Sequence, residues 1–285
     1  MMDPNNRFAR TPDGFTAHIL ERNGCPLHYW TGGRQDGLMI ACQHGALMDH
    51  RMFNAQVEAL RDKYRLLVMD GRGHGLSQPF GEASTITDYV DDLLAVLDEQ
   101  GVDRAVLLGQ SMGGYVVQHT LRLHPKRVLG AAIIGSTPVA LAVKGYEMTA
   151  LRLSGTMFAL WPYESLKRMM ANNTALLPDT REYALDAIHQ AGRGNLQKIW
   201  AVVNTAVRQE GYLDFYLEIP LLLTHGDQDR TGTIRRDSPI WAARDKKIQF
   251  EIIPNASHNA NQDNPDAFNS ILLDWLVREF ETIRE

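Results

Sequence analysis

Ser111 lies between two glycines in the stretch "GQSMG" (109–113), which follows an apolar run and opens a helical pattern. A serine hydroxyl is a poor nucleophile until a neighbouring base removes its proton. Glycine at positions 109 and 113 permits a sharp strand-to-helix turn, because larger side chains would collide with the strand or the helix. Such a turn points the backbone N–H of Met112 at the start of the helix, where an anionic oxygen is favoured. The pattern predicts a nucleophilic serine; a glycine-rich turn with a capping serine is the alternative.

A nucleophilic serine needs a base, and the chain has ten histidines. His258 lies in a loop a few residues after the last predicted strand and ahead of the C-terminal helix, so we predict that it is the base. His225 ends a strand and His44 stands inside "QHG", and both positions favour structural roles. His119 and His124 fall on the helix after the serine and are expected to point away from it.

The base needs an orienting carboxylate, and the loop "THGDQDRTG" (224–232) offers two. We favour Asp229, because it stands further into the loop, where its side chain can turn towards His258. Asp227 is closer to the strand end and is more suited to bonding the loop backbone. It remains the alternative acid.

The order Ser111, Asp229, His258 along the chain resembles the serine–acid–histidine order of the α/β-hydrolase superfamily. The chain resembles in particular the members of that superfamily with a helical cap. The stretches "QHGALMDHRMF" (43–53) and "DGRGHGLS" (70–77) match motifs of that superfamily. The resemblance implies that the backbone N–H groups of Ala46 and Met112 form an oxyanion hole. It also implies that Arg72, Gly73, Gly75 and Ser77 are structural.

The elements that must position these residues alternate between buried strands and amphipathic helices. Near-continuous apolar runs such as "RLLVMDG" and "RAVLLGQ" are typical of strands covered by helices on both faces. Two further runs flank Asn23-Gly24 and predict an antiparallel hairpin. We therefore predict an α/β fold of the α/β-hydrolase type, with a mostly parallel, doubly wound sheet.

One segment, residues 139–217, contains only helical patterns and is too long for a loop. We predict that it forms a helical cap subdomain on a core domain built from residues 1–138 and 218–285. Met157, Phe158 and Trp161 of the cap are predicted to bind an apolar part of the substrate. Ordinary packing of cap helices on the core is the alternative for each of them.

Composition narrows the class of partner. The net charge of −5 and the interspersed acidic and basic residues give no basic patch that would bind nucleic acid. No apolar run is long enough for a membrane span, and the first residues have no apolar core typical of a secretory signal. The two cysteines, Cys25 and Cys42, lack metal-ligand spacing. We therefore expect a cytoplasmic protein with a small-molecule substrate, no metal and no cofactor; the oligomeric state stays open.

The predicted function is that of a serine hydrolase that cleaves a carboxylic ester or lactone with an apolar portion through an acyl-enzyme intermediate. Serine at position 111, on the strand-to-helix turn, disfavours the dehalogenase and epoxide-hydrolase chemistries of the superfamily, which need a carboxylate at that position. Hydrolysis of a carbon–carbon bond beside a ketone and perhydrolysis remain alternatives. A small-molecule receptor that keeps the same three side chains is a third alternative, because a fold does not fix a function.

Overall fold

Eight strands form one sheet in the structure, a computed structural model that describes residues 13–83, 85–141, 144–207 and 217–281. The strand order across the sheet is β1-β2-β4-β3-β5-β6-β7-β8. The strands are β1 (Thr16–Arg22), β2 (Cys25–Gly33), β3 (Met39–Gln43), β4 (Arg65–Met69), β5 (Ala105–Gln110), β6 (Val128–Ile134), β7 (Leu221–Gly226) and β8 (Ile248–Ile253).

The sheet is mostly parallel. Strands β1 and β2 form the predicted antiparallel hairpin, with Asn23 and Gly24 both at positive φ in its turn. β2 also pairs antiparallel with β4, whereas all pairs from β4 to β8 are parallel. Every residue of β3, β5 and β7 is buried, which explains their continuous apolar sequences.

Helices flank this sheet and complete the predicted α/β fold. α1 packs against α9, and α2 packs against α3. The helices outside the region between β6 and β7 are α1 (Asn54–Leu60), α2 (Ile86–Glu99), α3 (Met112–Leu123), α7 (Ile234–Arg244), α8 (Ala260–Asp263) and α9 (Pro265–Leu276). None of the helices within the described ranges is both long enough and apolar enough to cross a bilayer.

Two helix boundaries differ from the sequence pattern. The sequence from Asp49 onward has a helical pattern that predicts Asp49 as an N-cap, but a 3-10 turn over His50–Phe53 precedes α1. The Asp49 carboxylate accepts a hydrogen bond from the Arg51 N–H and so caps the short turn rather than the α-helix. The C-terminal helix changes at Leu276 into a π-helical turn over Val277–Glu281.

The region between β6 and β7 holds the helices α4 (Gly145–Leu160), α5 (Tyr163–Thr174) and α6 (Pro178–Ala206). α6 bends at Gly192, whose φ of 77° and ψ of 162° are not helical. The predicted cap segment 139–217 also includes residues 142–143 and 208–216, which lie outside the described residues.

α5 and α6 are hydrogen-bonded to loops at the carboxyl ends of the parallel strands. The Tyr183 hydroxyl of α6 donates to the backbone oxygen of Asp49 (3.1 Å), and Asn195 donates to the backbone oxygen of Gly73 (3.2 Å). The N–H of Asn259 donates to the backbone oxygen of Thr174 at the end of α5 (2.8 Å). These helices therefore lie over the edge of the sheet where the predicted reactive residues stand.

Candidate active site

Ser111 stands on a strained turn between β5 and α3. Its φ of 51° and ψ of −112° are unusual for a residue with a side chain, and such conformations cost roughly 1–3 kcal/mol. Its N–H donates to the backbone oxygen of Ile134 in the neighbouring strand (2.9 Å). A Cβ at Gly109 would collide with the backbone of Gly113, and one at Gly113 with the backbone of Gln43. Both glycines are thus required by the close passage of strand and helix.

His258 and Asp229 form a buried pair beside this turn. The Nδ1 of His258 lies 3.0 Å from Oδ2 of Asp229, and the two residues are 5% and 2% exposed. The other carboxylate oxygen of Asp229 accepts the N–H of Thr231 (2.8 Å). Burial by itself would raise the pKa of Asp229, but the charge and hydrogen bond of His258 and the Thr231 N–H outweigh burial and lower it. Asp229 is therefore ionised at neutral pH.

Asp227, the alternative acid, has a different partner. Its Oδ1 accepts a hydrogen bond from the backbone N–H of Ala256 (3.0 Å) and so ties the strand end to the histidine loop. The imidazole of His258 is bonded to Asp229, which is the residue that the sequence favoured.

Ile134, the last residue of β6, and Gly135, which follows it, lie next to Ser111 and to the Asp229–His258 pair. Gly135 has a φ of 54°, and a Cβ at this position would lie 3.2 Å from Nδ1 of His258 and 3.3 Å from Oδ2 of Asp229. The preceding residue, Ile134, accepts the N–H of Ser111. The backbone of Ser111 and the side chains of Asp229 and His258 therefore lie next to two consecutive residues, Ile134 and Gly135.

The loop after β3 passes close to Ser111. A Cβ at Gly45 would lie 3.2 Å from the Cβ of Ser111. The N–H of Met48 donates to the backbone oxygen of Gly45 (3.1 Å), and Leu47 has a φ of 64°. These features define a type II turn with Ala46 at its second position, where the N–H is not used by the turn. This is the N–H that the family resemblance predicts to bind an oxyanion.

Met112, the other predicted donor, is the first residue of α3. Its N–H therefore has no acceptor within the helix, because the first N–H groups of a helix are unpaired. The helix dipole adds partial positive charge at the same place.

His44 fixes the loop that carries Ala46. Its Nδ1 lies 2.8 Å from the backbone oxygen of Gly45, and its Nε2 lies 2.8 Å from the N–H of Gly71. Nδ1 is therefore the donor and Nε2 the acceptor, which is the neutral form. Burial lowers the pKa of His44 and favours the same form. The structural role expected for His44 is thus visible in its contacts.

The residues of segment 70–77 that are predicted to be structural form hydrogen bonds within the protein core. The buried guanidinium of Arg72 makes two hydrogen bonds of 2.7 Å to the carboxylate of Asp92. The hydroxyl of Ser77 donates to the backbone oxygen of Asp70 (2.7 Å), and a Cβ at Gly75 would collide with the Asp70 carboxylate.

Asp49, His50 and Asp70 form a buried cluster whose residue types could hold a metal ion. Their ligand atoms are already bonded within the protein. His50 is bonded through Nδ1 to Asp70 (2.8 Å), and Arg51 forms an ion pair with Asp49. Because His50 is bonded to Asp70 and Arg51 is paired with Asp49, these side chains suit a structural network.

The contribution of Gln110 is not evident from the sequence. Its Nε2 donates to the backbone oxygen of His258 (3.0 Å) and lies 3.4 Å from Oδ1 of Asn259. Its Oε1 lies against Gly45. Gln110 therefore contacts both the loop that carries Ala46 and the loop that carries His258. Its place beside Ser111 in the motif is the only sequence signal for this role.

The three cap residues predicted to bind substrate have different surroundings. Phe158 packs edge-on against Trp200 of α6, with ring centroids 4.9 Å apart. Met157 is 46% exposed. Trp161 is partly buried and packs against the core, and its backbone oxygen accepts a hydrogen bond from Arg193. A role for these residues in substrate binding stays a prediction.

Comparison with known proteins agrees with this architecture. The family model described as "Alpha/beta hydrolase family" matches residues 40–271. A carboxylesterase of Bacillus subtilis, itself called uncharacterized, is 32% identical over 266 residues (88% of this chain and 83% of the relative). The 3-oxoadipate enol-lactonase 1 of Acinetobacter baylyi is 25% identical and covers 89% of this chain and 94% of its own.

Among solved structures, a thermophilic esterase from Thermogutta terrifontis superposes with a TM-score of 0.79. It is 23% identical and covers 92% of this chain and 98% of its own. At that identity the superposition shows the fold alone, whereas the family model spans most of the chain. The chain therefore belongs to the alpha/beta hydrolase family.

Proposed function

We propose that this hydrolase cleaves carboxylic esters or lactones with an apolar portion through an acyl-enzyme intermediate on Ser111. The observation that carries the proposal is the buried Asp229–His258 pair, 3.0 Å apart, beside a serine held at positive φ. The carboxylate is ionised, so it can stabilise the imidazolium that forms when the base takes a proton.

In the first half of the reaction, Nε2 of His258 takes the proton of the Ser111 hydroxyl as its oxygen attacks the carbonyl carbon. The tetrahedral intermediate collapses when His258 gives that proton to the leaving alkoxide, which departs as the alcohol. In a lactone the leaving alcohol stays attached to the acyl group. His258 then deprotonates a water, which attacks the acyl-enzyme and releases the carboxylic acid and Ser111.

The backbone N–H groups of Ala46 and Met112 would hold the negative oxygen of the intermediate. The neutral His44 supports this assignment, because it fixes the loop of Ala46 without adding a positive charge to it. The strained conformation of Leu47 supports it too, because strain is retained where a backbone donor must be aimed.

We also propose that α4, α5 and α6 act as a cap that limits the entry of water and selects the acyl group. The hydrogen bonds of α6 to Asp49 and Gly73 support this role, because they seat the helix over the carboxyl ends of the strands. The apolar substrate portion rests on the prediction that Met157, Phe158 and Trp161 contact the substrate.

The test is a series of p-nitrophenyl esters with acyl chains of increasing length, together with γ-lactones in a pH-indicator assay. We expect hydrolysis of short to medium acyl chains, and a loss of at least about 10³-fold in kcat for Ser111→Ala. Ser165→Ala, at an exposed serine of α5, is the control and should retain full activity. Equal rates for wild type and Ser111→Ala would refute the assignment of Ser111.

Burst kinetics and other substrates separate the rival functions. A receptor would bind the esters without a burst of p-nitrophenol, whereas an esterase would release one equivalent rapidly if deacylation is slow. Turnover of a vinylogous 1,5-diketone in the absence of ester hydrolysis would instead favour carbon–carbon cleavage. Bromination of monochlorodimedone in the presence of peroxide, acetate and bromide would favour perhydrolysis, because the peracetic acid formed oxidises bromide to hypobromous acid.

A further inference from the structure

A groove runs between α4 and the second half of α6, and we call it the cap groove. Its cavity volume is about 540 Å³, which lies in the range that small-molecule sites occupy. One face of α4 and one face of α6 form its two walls. They comprise Arg152, Gly155, Thr156, Phe158 and Ala159 of α4 and Leu196, Gln197, Trp200, Ala201, Asn204 and Thr205 of α6.

The floor of the groove is apolar. The rings of Phe158 and Trp200 pack edge to face, and the indole N–H of Trp200 donates to the hydroxyl of Ser154 (2.9 Å). The Trp200 ring is thereby fixed. Gly155 faces it without a side chain, since a Cβ there would lie 3.5 Å from the indole. Such a floor suits an aliphatic chain.

One end of the groove holds a buried acceptor. Asn204 is 8% exposed, and its Nδ2 donates to the backbone oxygen of Trp200 (2.9 Å). Its Oδ1 is buried and has no hydrogen-bond partner among the described residues. A buried acceptor without a donor is costly, so this oxygen suits a ligand that brings a hydroxyl group.

The rim of the groove carries the exposed guanidinium of Arg152. Arg152 and Gln197 both offer N–H donors on the groove's rim, and a guanidinium matches the geometry of a carboxylate.

We propose that the cap groove binds a small hydroxy carboxylic acid with an apolar chain. The carboxylate would pair with Arg152, the chain would lie on Phe158 and Trp200, and the hydroxyl would donate to Oδ1 of Asn204. Hydrolysis of an aliphatic lactone yields a molecule of this class. That the ligand is the product of this protein's own reaction rests on the proposed function. The binding site itself rests only on the residues that line the groove.

The test is isothermal titration calorimetry of the full chain with 4-hydroxyoctanoate, octanoate and octan-1-ol. We expect 4-hydroxyoctanoate to bind with a dissociation constant of about 0.1–1 mM, as its size allows. Octanoate should bind at least about threefold more weakly because it leaves Asn204 without a donor. Octan-1-ol should bind more weakly still because it lacks the charge.

Three variants locate the site. Arg152→Gln should weaken binding of 4-hydroxyoctanoate about fivefold, and more at low salt. Gly155→Leu should abolish binding because its side chain would fill the space beside Trp200. Arg168→Gln is the matched control, because Arg168 is another exposed arginine of the cap that does not line the groove.

Absence of binding at about 10 mM ligand would overturn the proposal. So would equal affinities for wild type and Arg152→Gln, or an equal loss in Arg168→Gln. Equal binding of octanoate and 4-hydroxyoctanoate would overturn the role of Asn204. If the groove binds 4-hydroxyoctanoate but the chain hydrolyses neither esters nor γ-lactones, the binding site stands and the proposed function fails.

Discussion

The Nε2 of Gln110 donates a hydrogen bond to the backbone oxygen of His258 across 3.0 Å, although 148 residues separate the two along the chain. The bond joins the residue before the proposed nucleophile to the residue that carries the proposed base. It acts on the backbone of His258, so it holds the loop rather than the imidazole itself.

We therefore expect Gln110→Met to lower kcat for ester hydrolysis about tenfold or more, with a smaller change in KM. Methionine has a similar length but cannot donate to His258, so the loop that carries the imidazole would lose its bond to the residue before Ser111. Steady-state kinetics on p-nitrophenyl butyrate measure both constants. Gln118→Met, at a buried glutamine of α3, is the control for general loss of stability. A proportional fall of kcat in both variants would contradict a positioning role.

Ala46→Pro tests the proposed oxyanion hole without disturbing the turn. The second position of a type II turn favours proline, so the substitution removes the N–H and keeps the backbone path. Loss of one oxyanion donor costs about 10²–10³ in kcat. The melting temperature should change little, because this N–H makes no bond in the turn. Unchanged kcat in a folded Ala46→Pro protein would exclude Ala46 as a donor.

The two aspartates of the loop after β7 should separate activity from stability. Asp229→Asn should lower kcat about 10⁴-fold, because the amide favours the wrong imidazole tautomer. Asp227→Ala should retain activity within a few-fold and lower the free energy of unfolding by about 1 kcal/mol, because the Ala256 N–H loses its acceptor. Kinetics and urea unfolding on both variants give the comparison. A larger kinetic loss at position 227 would reverse the assignment.

Asp70 should make the protein sensitive to acid. Burial alone would raise its pKa, but the charge and hydrogen bonds of His50 outweigh burial and lower the pKa to about 2. The folded state then binds this proton less readily than the unfolded chain. Its stabilisation is therefore full above about pH 4 and is lost as the pH falls towards 2.

Urea unfolding of wild type and Asp70→Asn from pH 6 to pH 2.5 tests this expectation. The difference in unfolding free energy should be largest near neutral pH and should shrink below about pH 4. A difference that stays constant down to pH 2.5 would show that Asp70 does not carry a lowered pKa.

Local signals in the sequence were sufficient for the fold and the central serine turn. Buried strands are continuously apolar, and the elbow needs glycine on both sides, so β5, α3 and the hairpin at Asn23-Gly24 could be predicted from neighbouring residues. The helix boundary near Asp49 could not, because an aspartate caps a 3-10 turn and an α-helix with the same hydrogen bond.

The choice between Asp227 and Asp229 rested on loop position, and only the structure gives each carboxylate its partner. Gln110 escaped prediction for a different reason. Its partner is distant in sequence, and a glutamine at the end of a strand has no local pattern that distinguishes a bridging amide from an ordinary buried one.

Gly135, which directly follows β6, restricts the side chains that this strand end can carry. A Cβ there would lie 3.2 Å from Nδ1 of His258 and 3.3 Å from Oδ2 of Asp229, so even a methyl group would have to displace one of them by a few tenths of an ångström. Its φ of 54° adds strain for any residue with a side chain. A carboxylate moved to this position would therefore crowd the histidine that it has to orient, whereas Asp229 reaches that histidine from the neighbouring strand end.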